Sequence, residues 1–599
     1  MNERALWHQA KSAYSYAYDD RTLHILLRTA SGDADRVSLV YGDPFAWKID
    51  RSGKPTWDHE IAIMQKRYET SLFDVYFLAI EPANLRTKYT FLLEKDGHTY
   101  AFGSRRLRPI EENDRLYDAF DLSEFFNFPY IHGEDLHRTP AWVKDTIWYQ
   151  IFLDRFYRVG SDNRRPWGEL PVHNHRLFGG NLQGVIAKLP YLEDLGINGI
   201  YFTPIFESPS AHKYDTTDYF RIDPQFGTND DFKELVNEAH ARGIRVMLDG
   251  VFNHAGYDHP YFQDVIKNGE KSAYSDCFYI EKYPVINFPL DRNGRPIRYH
   301  GSELNFRTFA FTPYMPKWNT GHPLVRKHLL EAISYWIREY DIDGWRLDVS
   351  NEISHEFLRE IKQVSRKEKA DTFILGENWD ASLPWLMGDQ LDSVMNYDLS
   401  YPLWKYLEQE IDLKTFRHMV TTHVMSTPKN VIENMFNLVG SHDTIRIKRR
   451  LGDDPRRVKL AYLFMFLSAG APNIYYGDEV GLTGEHDPDN RRTMLWDEHE
   501  QDVDFLRFVR RLVELRKKRA SFRHPDFHFL DLDILAFFKR ATDDAILVLM
   551  NNGEKKTFDI PSSLNGTYRD VFSAEKLRIH GRMTLEAYQF LVLEKEETG

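Results

Sequence analysis

The chain has 599 residues, more than one hydrophobic core usually supports, so two to four domains are expected. Hydrophobic residues make up 42% and charged residues 28%, the balance of a globular protein rather than a disordered one. A formal net charge of -13 gives no overall pull toward nucleic acid or anionic membrane, no segment has the apolar length of a membrane span, and the single Cys277 excludes an intramolecular disulfide.

The N-terminal stretch, MNERALWHQAKSAYSYAYDD, lacks the apolar run of a signal peptide, and a lone cysteine fits a reducing compartment. A cytoplasmic location is therefore expected. Residues 1–122 read as strands joined by tight turns, a β-sandwich module. Thr22–Thr29 is one run, and Tyr89–Phe102 is a hairpin turning at Asp96-Gly97, a pair that accepts the positive φ angles of a hairpin turn.

From about Trp142 short apolar strands alternate with amphipathic helices, as in a parallel sheet with crossover helices. The strands are expected at Thr146–Phe152, Gly199–Thr203, Ile244–Leu248, Gly344–Val349, Thr372–Leu375, Ser393–Tyr397, Phe436–Val439 and Asn473–Tyr476. Eight is the number a closed (β/α)8 TIM barrel needs. Phe232, Leu235, Val236 and Ala239 predict a helix over 229–241 that ends at Gly243, and Leu329, Ile333, Trp336 and Ile337 predict another over 325–339. The stretch 255–320, after the third strand, is too long for an ordinary loop and reads as a small excursion domain. The expected fold is thus multidomain α/β: an N-terminal β-sandwich (1–122), a catalytic barrel with its excursion (123–500) and a C-terminal β-domain (501–599). The last holds a helix, then strands including Ala545–Met550 before the Asn551-Asn552-Gly553 turn.

Acids stand where barrel strands end. Strand three ends in Leu-Asp249-Gly-Val-Phe-Asn-His254, strand four in Gly344-Trp-Arg-Leu-Asp348, and strand five in Leu375-Gly-Glu-Asn-Trp379. Strand seven runs into Val439-Gly-Ser-His-Asp443. One acid alone is as readily a helix N-cap. Four aimed at the C-terminal mouth of one barrel point to chemistry. Arg346, two residues before Asp348, faces the same side of its strand and would keep that carboxylate ionised. Glu377, flanked by Trp379, is the candidate for the protonated partner, because an aromatic neighbour desolvates it. Two such carboxyls are what hydrolysis of a glycosidic bond requires. His254 and His442 suit hydrogen bonds to sugar hydroxyls, with a satisfied core histidine as the alternative for His442. The aromatic content of 14% is read mainly as core, with some rings serving as platforms for sugar faces.

At these residues the sequence resembles the α-amylase superfamily of glycoside hydrolases. The blocks are Gly199-Ile-Tyr-Phe-Thr-Pro204, Asp249-Gly-Val-Phe-Asn-His254, Gly344-Trp-Arg-Leu-Asp348, Gly376-Glu377 and Ser441-His-Asp443, and together they span the barrel. The resemblance implies Asp348 as nucleophile, Glu377 as acid/base and Asp443 as the third acid, which grips the reacting sugar. It implies Tyr214, in His212-Lys-Tyr-Asp215, as a stacking platform under that sugar, with Asp487 and Arg491 holding the next unit. Asp249, His254, Arg346 and His442 complete the implied binding set. Met315-Pro-Lys-Trp-Asn319 and Asp348-Val-Ser-Asn-Glu352 are similar to blocks of the neopullulanase, cyclomaltodextrinase and maltogenic amylase group. That group implies a homodimer, a narrowed cleft, and a preference for cyclodextrins, short maltodextrins and pullulan over starch, with some transglycosylation and α-1,6 cleavage. Glu352 is a candidate contact for that last activity.

Two departures matter. Trp318 replaces the usual Leu of its block, and is either a stacking surface or core. The group's calcium loop reads here Phe156-Tyr-Arg-Val-Gly-Ser-Asp-Asn-Arg-Arg165, with Asn181 in place of an aspartate in Gly179-Gly-Asn-Leu-Gln-Gly184. Arginines oppose a site that wants anionic oxygens, so no tightly held calcium is expected in that loop, and no other cofactor is expected. The competing readings are an exo-acting α-glucosidase or oligo-1,6-glucosidase, which usually lacks the N-terminal module, and a non-catalytic glucan-binding or transporter-associated relative, which typically loses one of the acids.

Overall fold

The computed structural model describes residues 1–49, 53, 55–111, 122–160, 166–174, 176–297 and 303–596. The chain folds as two compact units. One is Met1–Arg138 with Gln409–Ile432 and Pro525–Asp531; the other is Thr139–Glu408 with Glu433–His524 and Leu532–Gly599.

The first unit is built on two antiparallel sheets. One runs Ser15–Ala17, Leu23–Ala30, Phe73–Ile80, Gln65–Glu69. The other runs Leu107–Ile110, His98–Phe102, Thr87–Lys95, Arg36–Gly42, Glu60–Ile63. Alternation fixes which face is inside: Leu23, Ile25 and Leu27 from the first sheet join Val37, Leu39, Tyr89, Phe91 and Leu93 from the second in one core. The hairpin turns where predicted, with φ of 50° at Asp96 and 77° at Gly97.

The second unit contains the barrel. Its strands are β1 (Trp148–Ile151), β2 (Gly199–Phe202), β3 (Arg245–Gly250), β4 (Gly344–Leu347), β5 (Phe373–Gly376), β6 (Ser393–Val394), β7 (Phe436–Asn437) and β8 (Ala471–Tyr475). All eight overlap the predicted runs, with β3 and β5 reaching past them to Gly250 and Gly376 and β8 starting earlier, at Ala471. The sheet order is β6-β5-β4-β3-β2-β1-β8-β7, every ladder parallel, and a parallel bridge between Met395 and Phe436 joins its two edges. Apart from Arg245 at its entrance, every strand residue is buried, because helices cover the outside and side chains fill the inside.

The crossover helices begin and end on local chemistry. α1 (Leu182–Leu195) is capped by Asn181, whose side chain accepts from the Gly184 amide. α2 (Asn229–Ala241) starts with a reciprocal capping box between Thr228 and Asp231, and the chain leaves it through Gly243 at φ 68°. The excursion after β3 is a helix, α3 (Pro260–Asn268), and a web of isolated bridges such as Phe278 opposite Trp318. Its core is aromatic: Phe262 sits edge-on to Phe278 at 5.0 Å, and Phe278 stacks on Trp318 at 4.5 Å. α4 (Pro323–Tyr340) then leads into β4. After the barrel, helix Val503–Lys518 precedes an antiparallel sheet of Leu535–Ala541, Asp544–Met550, Phe590–Lys595, Gly566–Asp570 and Lys576–Ile579.

Candidate active site

The C-terminal ends of the barrel strands surround a cavity of about 450 Å3. Asp348, Glu377 and Asp443 all stand on its wall, together with His212, Tyr214, His254, Glu352, Asp487 and Arg491. These residues span 280 positions of sequence, and the parallel barrel brings them to one mouth.

Arg346 is the centre of the charge arrangement. On β4 it alternates with Trp345 and Leu347, so it points inward and is fully buried. Its Nη1 donates to both oxygens of Asp249 at 2.9 and 3.0 Å and to Oδ1 of Asp348 at 2.8 Å. Its Nη2 lies 2.9 Å from Oε2 of Glu377. One guanidinium thus touches three carboxylates through the donors of its planar fork.

Glu377 is also held by backbone, at the same oxygen that faces Arg346. The Val349 amide donates to its Oε2 at 3.0 Å. Val349 holds that amide in place at φ 46°, a left-handed conformation strained for a β-branched residue. Gly376 is required just before Glu377: a Cβ there would lie 2.3 Å from Leu391 Cδ1 and 2.6 Å from Ser350 Oγ. That Ser350 hydroxyl donates to the Asn378 side chain at 2.6 Å.

Burial pushes the Asp348 carboxyl well above the usual range; Arg346 opposes this, while the charges of Glu377, Asp249 and Asp443 add to it. Asp443 goes the other way. Burial alone would raise it, but His442, Arg491 and Arg346 outweigh that and hold it well below the usual range. His442 Nε2 is 2.9 Å from Oδ2 of Asp443, and Arg491 Nη2 is 3.4 Å from Oδ1.

Tyr214 is anchored by its hydroxyl, which donates to Asp249 at 3.1 Å and lies 2.5 Å from His442 Nε2. Its ring stacks on His442 with an interplanar angle of 9°. His254 stacks on Phe309 at 5.3 Å, and burial lowers its imidazole to about 3, so it is neutral. Arg491 pairs with Asp487 at 2.8 Å, and Glu352 pairs with Lys317 at 3.0 Å.

Four sequence-derived binding candidates are not on the wall. Asp249, Arg346 and His442 lie behind it: both Asp249 oxygens accept from Arg346, and both His442 nitrogens are taken, Nδ1 by Gln150 at 2.7 Å and Nε2 by the Tyr214 hydroxyl. They orient the residues that reach the cavity. Trp318 is 1% exposed, donates to the Tyr219 hydroxyl at 3.1 Å and stacks on Phe278; it fills the core of the excursion and offers no surface for a sugar. Trp379 lines the cavity and stacks on Tyr397 at 4.1 Å.

Sequence reasoning missed Phe309 and Asn174 on the wall, and Gln150 and Tyr201 beneath it. Gln150 carried a signal, being the one polar residue in the apolar strand Trp148-Tyr-Gln-Ile151. Nothing local marks Phe309 among the many aromatics of the excursion. The stretch expected to have lost the group's calcium site lies partly outside the described residues, at 161–165. Among the described residues no cluster of His, Cys, Asp or Glu could hold a metal ion.

The comparisons with known proteins agree with this geometry. The family model "Alpha amylase, catalytic domain" matches residues 150–526, and "Alpha amylase, N-terminal ig-like domain" matches residues 1–132. A cyclomaltodextrinase of Geobacillus thermopakistaniensis is 42% identical over 574 residues, 94% of this chain and 93% of that protein. An intracellular maltogenic amylase of Bacillus subtilis is 40% identical over 607 residues, 99% of each chain. Among solved structures, a cyclomaltodextrinase superposes with a TM-score of 0.88 at 38% identity, covering 99% of this chain and 100% of that one. With its closed barrel, its three acids at one mouth and these full-length similarities, the chain belongs to the α-amylase family of glycoside hydrolases, in the group of the cyclomaltodextrinases, maltogenic amylases and neopullulanases.

Proposed function

We propose that the protein is a retaining α-glycosidase that hydrolyses α-1,4 bonds of cyclomaltodextrins, short maltodextrins and pullulan, with some transglycosylation and α-1,6 cleavage. The observation that carries this reading is the pairing of Asp348 and Glu377 on one guanidinium in one cavity. Double displacement needs two carboxyls ~5–5.5 Å apart, and two carboxyls on one guanidinium are near neighbours, as that requires. In this reading Glu377 protonates the leaving oxygen while Asp348 attacks the anomeric carbon. The covalent glycosyl ester is then released by water that Glu377 deprotonates, or by a second sugar hydroxyl. Asp443, kept ionised beside Arg491, takes hydroxyls of the reacting sugar, and Tyr214 forms its floor.

The substrate class follows from the names of the relatives and from the blocks at Met315–Asn319 and Asp348–Glu352. No described helix is long and apolar enough to cross a membrane, and a cytoplasmic location fits the relative named intracellular. A homodimer accounts for Phe45, Trp47, Ile49, Ile61 and Ile63 of the N-terminal unit, each more than half exposed. A calcium-free loop is supported by Asn181: its Oδ1 caps α1 while its Nδ2 donates to the Val159 carbonyl at 2.8 Å, occupying an oxygen that a cation would need.

The test is reducing-sugar release from γ-cyclodextrin, pullulan and soluble starch, before and after treatment with a chelator. Fast attack on the ring, slow attack on starch and indifference to chelator are expected. Starch cleaved faster than the ring would place the protein with open-cleft amylases. Attack on short α-1,6 substrates alone would favour an exo-acting oligo-1,6-glucosidase, and activity that only added calcium restores would overturn the calcium-free loop.

A further inference from the structure

The second unit holds another, larger cavity of about 740 Å3 that shares no lining residue with the first. It lies between the loop after β2 and the start of the excursion. One wall is aromatic: Phe220 is edge-on to His328 at 5.6 Å, and His328 meets Tyr261 at 5.2 Å. Tyr261 is itself backed by Tyr274 in a parallel stack, with centroids 3.9 Å apart and planes 12° apart. Facing these rings are planar charged groups already neutralised in pairs, Asp258 with Arg295 at 2.6 Å and Glu207 with Arg221 at 3.3 Å.

We propose that this cavity is a second, non-catalytic binding site for α-linked glucan. An apolar ring wall opposite paired carboxylates and guanidinia matches a sugar, whose C–H face suits aromatic rings and whose hydroxyls both donate and accept. A strongly anionic ligand is disfavoured, because every cation at the cavity is already paired, Arg221 with Glu207, Arg295 with Asp258 and Lys213 with Asp223, and Asp218 adds a further acid. A volume of this size falls within the ~300–1,000 Å3 of small-molecule sites. The floor of the cavity is tied to the catalytic platform. Lys213, fully buried and next to Tyr214, binds Asp223 at 2.8 Å, the Ser208 carbonyl at 2.9 Å and Gln225 at 2.9 Å. Asp223 and Ser208 line this second cavity, so a glucan held there rests on the elements that set Tyr214.

The choice of ligand rests on the glucan reading of the active site, and the experiment separates the two. Maltotetraose is titrated calorimetrically into full-length Glu377→Gln, which does not turn over. Two sites are expected. Adding Tyr261→Ala, or independently the surface change Arg221→Ala, is expected to weaken one of them about tenfold or more. Adding Tyr214→Ala with Asp443→Ala instead removes the other and leaves the Tyr261-dependent site. Tyr261→Ala with the catalytic acids intact keeps its turnover of a small chromogenic maltoside, which shows that it folds. A single site that the cleft changes abolish, a two-site isotherm indifferent to Tyr261 and Arg221, or no binding at all overturns the proposal. A Tyr261-dependent site without any cleft site would sustain it while contradicting the catalytic reading.

Discussion

Arg346 decides the electrostatics of the mouth. A buried guanidinium opposes the burial and the crowded negative charge that together push Asp348 upward. Because the shift is upward, the carboxylate form of Asp348 is lost at a higher pH than for an ordinary aspartate at ~3.9. The kcat/KM profile of the free enzyme is therefore expected to fall on its acid side through a value above that figure. Arg346→Met should move this limb still higher and lower kcat/KM by roughly 100-fold or more, since preorganised charge is a large part of catalysis. An acid limb that stays in place would mean that Arg346 does not set the charge of Asp348. This pairing was legible in the sequence, because Arg346 and Asp348 are two apart on a strand. The strain at Val349 was not, because φ depends on where β4 must deliver its next amide.

The barrel strands were legible because strands covered on both faces read as continuous apolar runs, and the acids stood out against that background. The excursion was legible only as a length. Its partners are far apart in sequence, as when Trp318 finds Tyr219 and Phe278, so no period marked Trp318 as core. The exit of β8 carries another device that sequence did not reveal. Glu479 is wholly buried, takes hydroxyls from Tyr149 of β1 at 2.7 Å and Tyr191 of α1 at 2.8 Å, and has no cation partner among the described residues. Burial raises it to about 7, with the two hydroxyl hydrogen bonds opposing. A carboxyl whose folded pKa exceeds its unfolded value stabilises the fold fully below the unfolded pKa, and that contribution is lost as pH rises through about 7. Glu479→Gln keeps a hydrogen-bonding amide without the charge. It should raise Tm at pH 8 relative to wild type, by an amount on the order of 3 kcal/mol in stability, and leave the difference much smaller at pH 5. Equal effects at both pH values would show that Glu479 does not titrate in this range.

At the scale of the whole molecule, the exposed apolar side chains of the N-terminal unit need a reason. Ile61 and Ile63 alternate onto one face of an edge strand, and Phe45, Trp47 and Ile49 are exposed on the same unit. The combined change Trp47→Ser with Ile61→Ser is expected to shift sedimentation from dimer to monomer and to raise the starch to γ-cyclodextrin activity ratio. A wild-type protein that sediments as a monomer, or a dimer that the change leaves intact, would contradict the proposed role of this patch. The account as a whole stands on the covalent role of Asp348. Its most direct test is mass spectrometry of Glu377→Gln incubated with an α-maltosyl fluoride, whose leaving group needs no acid. The account predicts a maltosyl adduct on the peptide that carries Asp348, accumulating because its hydrolysis lacks a base. Turnover of the fluoride without any adduct, or an adduct on another residue, would contradict it.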